Sequence, residues 1–122
     1  MIKKVAFVSF RSTDVEGDKR FWGELLGLKL AQNFGEGKWI EFDAPDGKTI
    51  AIEQFSPEGT PTTLALETDD IEAEVAKLKE AGVPFQGGIM DNKVCKMAFA
   101  KTPSGHTVML HQMAPERVKG PN

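Results

Sequence analysis

One segment of the chain occurs twice, and this repeat constrains the fold more than any other feature. Residues 44–54 and 102–112 align without a gap, and their Pro, Gly, Thr and Gln positions coincide. In both copies a Pro-x-Gly turn leads into a strand, because proline presets φ, glycine accepts positive φ and apolar residues then alternate. A repeat of this length indicates two copies of one supersecondary unit, related by a pseudo-two-fold axis.

Each turn is preceded by a strand and a helix. The strands, 5–10 and 63–67, run into polar residues, after which the apolar residues follow a helical spacing. Further extended segments lie between each helix and its turn: 28–34 and 38–43 in the first copy, and 85–89 and 94–101 in the second. Each copy therefore has the order βαβββ.

Both helices carry start and stop signals. The first is expected to open with a capping box, Thr13-x-x-Glu16, and to stop at Gly27. The second opens with Asp69-x-x-Glu72 and stops at Gly82. Trp22 lies on the apolar stripe of the first helix and is predicted to belong to the core.

Length and composition bound the kind of protein. With 122 residues and 40% hydrophobic content, the chain is predicted to be a single domain with module one at about 3–55, module two at about 60–113 and a flexible tail at 114–122. The net charge of -3, without a basic patch, argues against nucleic acid as a partner. The first apolar run is too short for a secretory signal or a membrane span. Cys95, the only cysteine, excludes an internal disulfide and suits a reducing compartment, so we expect a cytoplasmic protein.

The two modules resemble the vicinal-oxygen-chelate superfamily. The resemblance covers about residues 3–113, and its most specific element is the run from Arg20 to Leu28, Arg-Phe-Trp-Gly-Glu-Leu-Leu-Gly-Leu, in which Phe-Trp stands where the family usually has Phe-Tyr. That superfamily includes glyoxalase I, extradiol dioxygenases, methylmalonyl-CoA epimerase, and the fosfomycin- and bleomycin-resistance proteins. The resemblance implies a glyoxalase-like α+β fold in which two βαβββ modules form curved mixed sheets around a cleft. The fold hosts unrelated chemistries, so function has to be argued from the site.

The resemblance also implies where a metal would be held. In similar enzymes one His, Gln or Glu from each of four strands binds it. Counted along the strands and from each turn glycine, those positions here are Phe7, Thr63, Ala51 and Met109. None is a ligand for a hard or borderline cation, so no metal is predicted. No other cofactor is predicted either, since the Gly-rich turn at 35–37 lacks the lysine and helix of a phosphate loop.

The period of the strands places further residues on the cleft side. The more apolar face of each last strand should pack on its helix, which leaves Glu53 and its repeat mate His111 toward the cleft. These two are the candidate catalytic residues, as general base or, in an alternative alignment on Ile52-Glu53, as metal ligands. The candidate substrate-binding residues, assigned by the same logic, are Phe7, Ser9, Thr63 and Met109.

Other candidates carry less chemistry. Trp39 and Glu41 share one face of their strand, but the sequence leaves open which face that is. His106 is predicted to be a solvated turn residue. Cys95 is predicted to be a buried, inert thiol, because no base lies near it in the sequence.

Two functions remain. The first is a metal-independent protein, similar to the bleomycin-resistance branch, that binds a small organic molecule in an apolar cleft. The alternative is a vicinal-oxygen-chelate enzyme, an isomerase, lyase or dioxygenase, that uses Glu53 and His111. A regulatory ligand sensor of the ferredoxin-like type is disfavoured by the number of strands after each helix. A homodimer is expected, since a curved sheet exposes an apolar face unless another sheet covers it.

Overall fold

The strands and helices of the computed structural model, which describes residues 1–115, follow the order βαβββ twice. The first copy comprises β1 (Ile2–Arg11), α1 (Val15–Lys19), β2 (Lys29–Phe34), β3 (Trp39–Asp43) and β4 (Thr49–Glu53). The second comprises β5 (Thr63–Thr68), α2 (Ile71–Glu80), β6 (Met90–Asp91), β7 (Cys95–Lys101) and β8 (Thr107–Met113). α1 continues directly into a π-helical segment, Arg20–Leu25.

The described chain divides into two compact units. The N-terminal unit is Phe7–Thr63, and the C-terminal unit comprises Met1–Ala6 with the chain from Leu64 onward. Within the N-terminal unit the strand order is β2-β3-β4-β1, with β1 parallel to β4 and the other neighbours antiparallel. Within the C-terminal unit the order is β6-β7-β8-β5, with β5 parallel to β8. Both sheets are mixed and share one topology, so the fold is α+β, as the repeat predicts.

Each sheet buries one face against its helix. In the N-terminal unit the buried cluster is Ile40, Phe42 and Ile52, and Val15 and Trp22 pack against it from α1 and the π-helical segment. The corresponding cluster of the C-terminal unit is Ile71, Val75, Ala98 and Leu110. In β4 and β8, the strands after the repeated turns, the apolar residues Ile52 and Leu110 therefore face the helix, as their alternation predicted. The core position predicted for Trp22 is confirmed.

The helices begin one residue later than their sequence signals predicted. Asp14, not Thr13, caps α1 by accepting the Gly17 N–H at 3.0 Å. Asp70, not Asp69, caps α2 by accepting the Ala73 N–H at 3.1 Å. Thr13 and Asp14, like Asp69 and Asp70, each carry a side-chain oxygen that can cap a helix, so the sequence alone did not distinguish the adjacent candidates.

The predicted glycine stops are present, with φ of 77° at Gly27 and 90° at Gly82. The strand predicted at 85–89 is wrong. Phe85 forms only an isolated bridge with Ala100, and Gly87, at φ 73°, breaks the extended run before β6.

The predicted tail, 114–122, lies outside the described residues apart from Ala114 and Pro115. Within the part of the chain that the structure describes, no helix is long and apolar enough to cross a membrane.

Candidate functional site

The helix-free face of the N-terminal sheet carries one of the two predicted catalytic residues. Ile52 belongs to the core under α1, so Ala51 and Glu53 on either side of it project to the opposite face. Strand register pairs Ala51 with Glu41 and Glu53 with Trp39, and paired residues share a face. Trp39 and Glu41, whose face the sequence left open, therefore lie on the helix-free face.

Three rings form an aromatic row on this face. Phe7 meets Trp39 edge to face, with ring centroids 5.2 Å apart and planes at 85°. Phe34 of β2 is the register partner of Trp39, and their ring centroids are 6.2 Å apart with the ring planes tilted by 36°. Phe7 is 7% exposed and Phe34 is 43% exposed, so the row runs from a buried ring to an accessible one. The Trp39 indole Nε1 donates to Glu41 Oε2 at 2.6 Å, which fixes the orientation of the central ring.

Glu53 is buried and bonded to its own loop. Its Oε1 accepts the backbone N–H groups of Phe55 at 2.8 Å and Ser56 at 2.9 Å, and its Oε2 accepts the Ser56 hydroxyl. Arg11, the register partner of Glu53, donates from Nε to the Ser56 carbonyl at 2.7 Å. The carboxylate thus holds the turn that leaves β4, and these three hydrogen bonds to its charged form make it a weaker base.

The helix-free face of the C-terminal sheet carries the other predicted catalytic residue. Leu110 lies in the core under α2, so Met109 and His111 project to the opposite face. Strand register pairs His111 with Glu67 of β5 and with Met97 of β7. His111 therefore lies between two strands that place an acid and a thioether beside it.

Buried His111 pairs with half-buried Glu67. The imidazole Nδ1 lies 2.6 Å from Glu67 Oε1, and Glu67 Oε2 accepts the Met113 N–H at 2.8 Å. His111 is 6% exposed. Sequence reasoning missed Glu67, although the repeat supplies a signal: Glu67 aligns with Arg11, which is likewise the register partner of Glu53.

The neighbours of His111 decide its protonation state. Burial lowers the pKa of the imidazole, since the charged form loses hydration. Hydrogen bonds with Cys95 and Glu67 act in the opposite direction and prevail, raising the pKa from 6.5 to about 9. His111 is therefore an imidazolium at neutral pH, which suits it to donate a proton rather than to accept one.

Cys95 stands close to this pair at the start of β7. It is a free, half-buried cysteine whose Sγ donates to Asn92 Oδ1 at 3.2 Å. In register it lies opposite Met113, one step along the same face from the Met97–His111 pairing. The thiol lines a cavity of about 310 Å³ with seven other residues: Asp91, Lys93, Lys96, Gln112, Met113, Ala114 and Pro115. The thiol is thus neither fully buried nor remote from a titratable group, contrary to the sequence-based expectation.

The remaining predicted residues are enclosed. Ser9, Thr63 and Met109 are each buried, and the Thr63 hydroxyl donates to the Pro61 carbonyl at 3.1 Å. His106 is exposed in its turn, as predicted. The structure therefore brings together Phe7, Trp39 and Glu41 in one unit, and Glu67, His111 and Cys95 in the other.

Residues 4–110 match the profile of the Glyoxalase/Bleomycin resistance protein/Dioxygenase superfamily. The chain belongs to this superfamily. Among curated proteins none matches the sequence.

Solved structures show the same glyoxalase-like fold at low sequence identity. A glyoxalase/bleomycin resistance protein/dioxygenase superfamily member from Vibrio splendidus 12B01 has a TM-score of 0.67 and 16% identity, and the match covers 93% of this chain and 100% of that one. Methylmalonyl-CoA epimerase from Mycobacterium tuberculosis has a TM-score of 0.72 and 14% identity, and the match covers 94% of this chain and 91% of that one. A variant of the Streptomyces coelicolor methylmalonyl-CoA epimerase, in complex with 2-nitronate-propionyl-CoA, has a TM-score of 0.74 and 15% identity. That match covers 99% of this chain and 100% of the other. At these identities the likeness establishes the fold alone.

The metal positions implied by the glyoxalase superfamily do not fit a metal in this member. Phe7 and Ala51 offer hydrocarbon, Thr63 offers a hydroxyl that is bonded to Pro61, and Met109 offers a thioether. Divalent cations of the hard or borderline class are held in proteins mainly by carboxylate, imidazole and carbonyl donors, which the side chains of Phe7, Ala51 and Met109 lack. Within residues 1–115, no three His, Cys, Asp or Glu side chains are grouped so that they could hold a metal ion.

Proposed function

We propose that this glyoxalase-superfamily protein binds a small, partly aromatic organic molecule without the help of a metal, on the helix-free face of its N-terminal sheet. The observation that carries the proposal is the aromatic row, in which Trp39 lies between Phe7 and Phe34. Aromatic pairs of this geometry contribute about 0.5 to 1.5 kcal/mol beyond the area that they bury. A flat ring stacked on the exposed end of the row would gain the same kind of contact.

A polar group beside the row supports a preferred orientation of the ligand. Glu41 Oε2 already accepts the Trp39 indole N–H at 2.6 Å, and a carboxylate has further lone pairs for a second donor. An ammonium or amidinium group on the ligand would form a charge-assisted hydrogen bond there, which is about twice as strong as a neutral one. The ligand class that fits is therefore an aromatic ring with a cationic end.

Glu41 replaces Glu53 as the polar partner in this proposal. The Glu53 carboxylate is buried and accepts three hydrogen bonds from Phe55 and Ser56 in the turn after β4, whereas Glu41 accepts one from Trp39. The bonding of Glu53 thus supports the binding function over catalysis by this residue.

Fluorescence offers a direct test, because the chain has two tryptophans and no tyrosine. In a Trp22→Phe variant, Trp39 reports alone. Among small aromatic amines that raise the melting temperature, we expect hits such as 2-phenylethylamine to change the Trp39 emission saturably, with or without EDTA. The uncharged analogue 2-phenylethanol should bind more weakly, by about tenfold, since it lacks the charge-assisted bond.

Two matched carboxamide variants locate the polar contact. Glu41→Gln should weaken the amine about tenfold and leave the alcohol unaffected, whereas Glu53→Gln should leave both affinities unchanged. Hits that bind a Trp39→Leu variant as well as they bind the wild type would place the site elsewhere and contradict the proposal. Loss of binding in EDTA would contradict its metal-independent part.

The alternative function, an enzyme of the isomerase, lyase or dioxygenase type, draws on the Glu67–His111 pair. An imidazolium with a pKa of about 9 could act as a general acid. This supports a role for His111 different from the base that the sequence suggested. Glu53, bonded to its loop, supplies no matching base in the N-terminal unit.

A further inference from the structure

We propose that Met97, Met113 and Cys95 form a binding site for a soft monovalent metal ion, Cu(I), on the helix-free face of the C-terminal sheet. The donors are two thioethers and one thiol, and they come from the neighbouring strands β7 and β8. The aromatic row belongs to the N-terminal unit, so this proposal does not depend on the binding function proposed above.

The methionines of this chain are concentrated on one face of one sheet. Ala98 of β7 and Leu110 of β8 belong to the core under α2, so the residues that alternate with them point to the helix-free face. On β6, the register partner of Met97 shares the face of Met97. By these relations the helix-free face carries every methionine after the first residue: Met90, Met97, Met109 and Met113. This face therefore presents a group of thioether sulfur atoms.

Strand register brings three of the sulfur-bearing side chains together at one end of this face. Cys95 lies directly opposite Met113, and Met97 is the next residue of β7 on the same face. Directly opposite Cβ atoms lie about 5 Å apart and diagonal ones about 7 to 8 Å, distances that long side chains span. Cys95, Met97 and Met113 are all half-buried, so an ion held between their sulfur atoms would be partly shielded from water.

A cavity gives access to this sulfur cluster. Its volume is about 310 Å³, and both Cys95 and Met113 line it. The backbone at each of these donors is fixed: the Cys95 N–H donates to Asn92 Oδ1 at 2.9 Å, and the Met113 N–H donates to Glu67 Oε2 at 2.8 Å. Less ordering is then required when the ion binds, which favours affinity.

The donor set selects a soft ion of low charge. Thiolate and thioether ligands favour Cu(I), whereas hard cations favour carboxylate and carbonyl oxygen. On binding, the Cys95 thiol releases its proton to water and forms a Cu–S bond, and the two thioethers donate lone pairs without a change of charge. One thiolate and one Cu(I) give a neutral centre. A divalent ion such as Zn²⁺ would leave a net positive charge in a half-buried place, which is costly.

The test measures the transfer of Cu(I) from its coloured bicinchoninate complex to the metal-free protein under nitrogen. We expect the loss of colour to end at one equivalent of Cu(I) per chain, and an excess of Zn²⁺ should not prevent the transfer. X-ray absorption at the copper edge should show sulfur as the neighbouring atom of the bound ion. A protein that takes up no Cu(I), or one that loses it to Zn²⁺, would overturn the proposal.

Matched substitutions separate the three-sulfur site from binding by the cysteine alone. Met97→Leu and Met113→Leu should each weaken Cu(I) binding by about tenfold or more, because leucine nearly keeps the volume and removes the sulfur. Met109→Leu is the control and should leave the affinity unchanged, since Met109 lies further along β8, opposite Phe99. Circular dichroism establishes that each variant is folded.

Two results with these variants would contradict the site. If Met97→Leu and Met113→Leu both bind Cu(I) as tightly as the wild type, Cys95 binds the ion without the thioethers. If Met109→Leu loses as much affinity as Met113→Leu, the ion is not held at the end of the sheet where Cys95 lies opposite Met113. Neither result bears on the aromatic row, whose ligands are detected through Trp39 emission.

Discussion

Glu53 and His111 occupy equivalent strand positions in the two units, and each has an oppositely charged register partner. Arg11 is the partner of Glu53, and Glu67 is the partner of His111. The two residues bind different partners. The Glu53 carboxylate accepts hydrogen bonds from Ser56 and the loop after β4, whereas His111 bonds directly to its register partner Glu67. One position therefore stabilises a turn, and the other keeps a charged, buried side chain.

His111 makes the stability of the protein depend on pH. Its pKa is about 9 in the folded state and about 6.5 in the unfolded chain. A raised pKa in the folded state contributes stability that is complete below about pH 6.5 and is lost as the pH rises through about 9. The full contribution is on the order of 3 kcal/mol, of which about 2 kcal/mol is lost between pH 6 and pH 8. Urea unfolding at several pH values measures this loss.

The matched variants for that measurement are His111→Gln and His106→Gln. His106 is exposed in a turn, so its replacement should leave the pH dependence of the wild type intact. His111→Gln should flatten the curve below pH 8. The amino group of Met1, whose pKa is raised because it donates hydrogen bonds to the carboxylates of Glu74 and Asp69, adds a loss at higher pH that both variants retain. An unchanged slope in His111→Gln would show that folding does not raise the pKa of His111.

At the scale of the elements, each helix begins at an aspartate that accepts from the third N–H of its first turn. Asp70 accepts the Ala73 N–H at 3.1 Å, and Glu72 and Glu74 add negative charge to the same turn. The cap satisfies a donor that has no partner inside the helix. Since α2 covers the core of the C-terminal sheet through Ile71 and Val75, fraying at this end would expose that core.

Replacing the α2 cap should have a measurable cost. Asp70→Ala should lower the free energy of unfolding by about 1 kcal/mol, whereas Asp70→Asn, which keeps the acceptor, should change it by a few tenths. Chemical denaturation of both variants provides the comparison. An equal cost for the two substitutions would mean that the charge of Asp70, and not its hydrogen bond to Ala73, stabilises the helix.

The sequence predicted the elements and faces well, because the strand period and the repeated turn are local signals. The period assigned Ala51 and Glu53 to the helix-free face, which the position of Ile52 in the core under α1 confirms. The sequence did not predict that the loop at Phe55 would fold back onto Glu53 or that Glu67 would pair with His111. Both contacts depend on which strands become neighbours. The sequence also failed to predict the short strand β6, because the glycines just before it interrupt the apolar pattern of a strand.

At the scale of the whole molecule, the N-terminal unit presents apolar side chains to solvent in two neighbouring elements. Leu25 and Leu26, at the end of the π-helical segment, are 59% and 54% exposed, and Leu30 of β2 is 51% exposed. β2 lies at the edge of its sheet, and an exposed apolar edge strand tends to pair with another chain. A second copy of this chain is the partner that the sequence already suggested.

We therefore predict a homodimer in which the edge of the N-terminal sheet, around Leu30, is covered by the partner subunit. Light scattering coupled to gel filtration should give about twice the chain mass of 13.4 kDa. Leu30→Lys should shift the protein toward the monomer, because a charge at a buried interface loses its hydration.

Met90→Lys is the matched control and should leave the dimer intact. Met90 is 56% exposed on β6, the corresponding edge strand of the C-terminal unit. A monomer for the wild type at micromolar concentration, with no change on dilution, would refute the dimer. Dissociation by Met90→Lys alone would move the interface to the C-terminal edge.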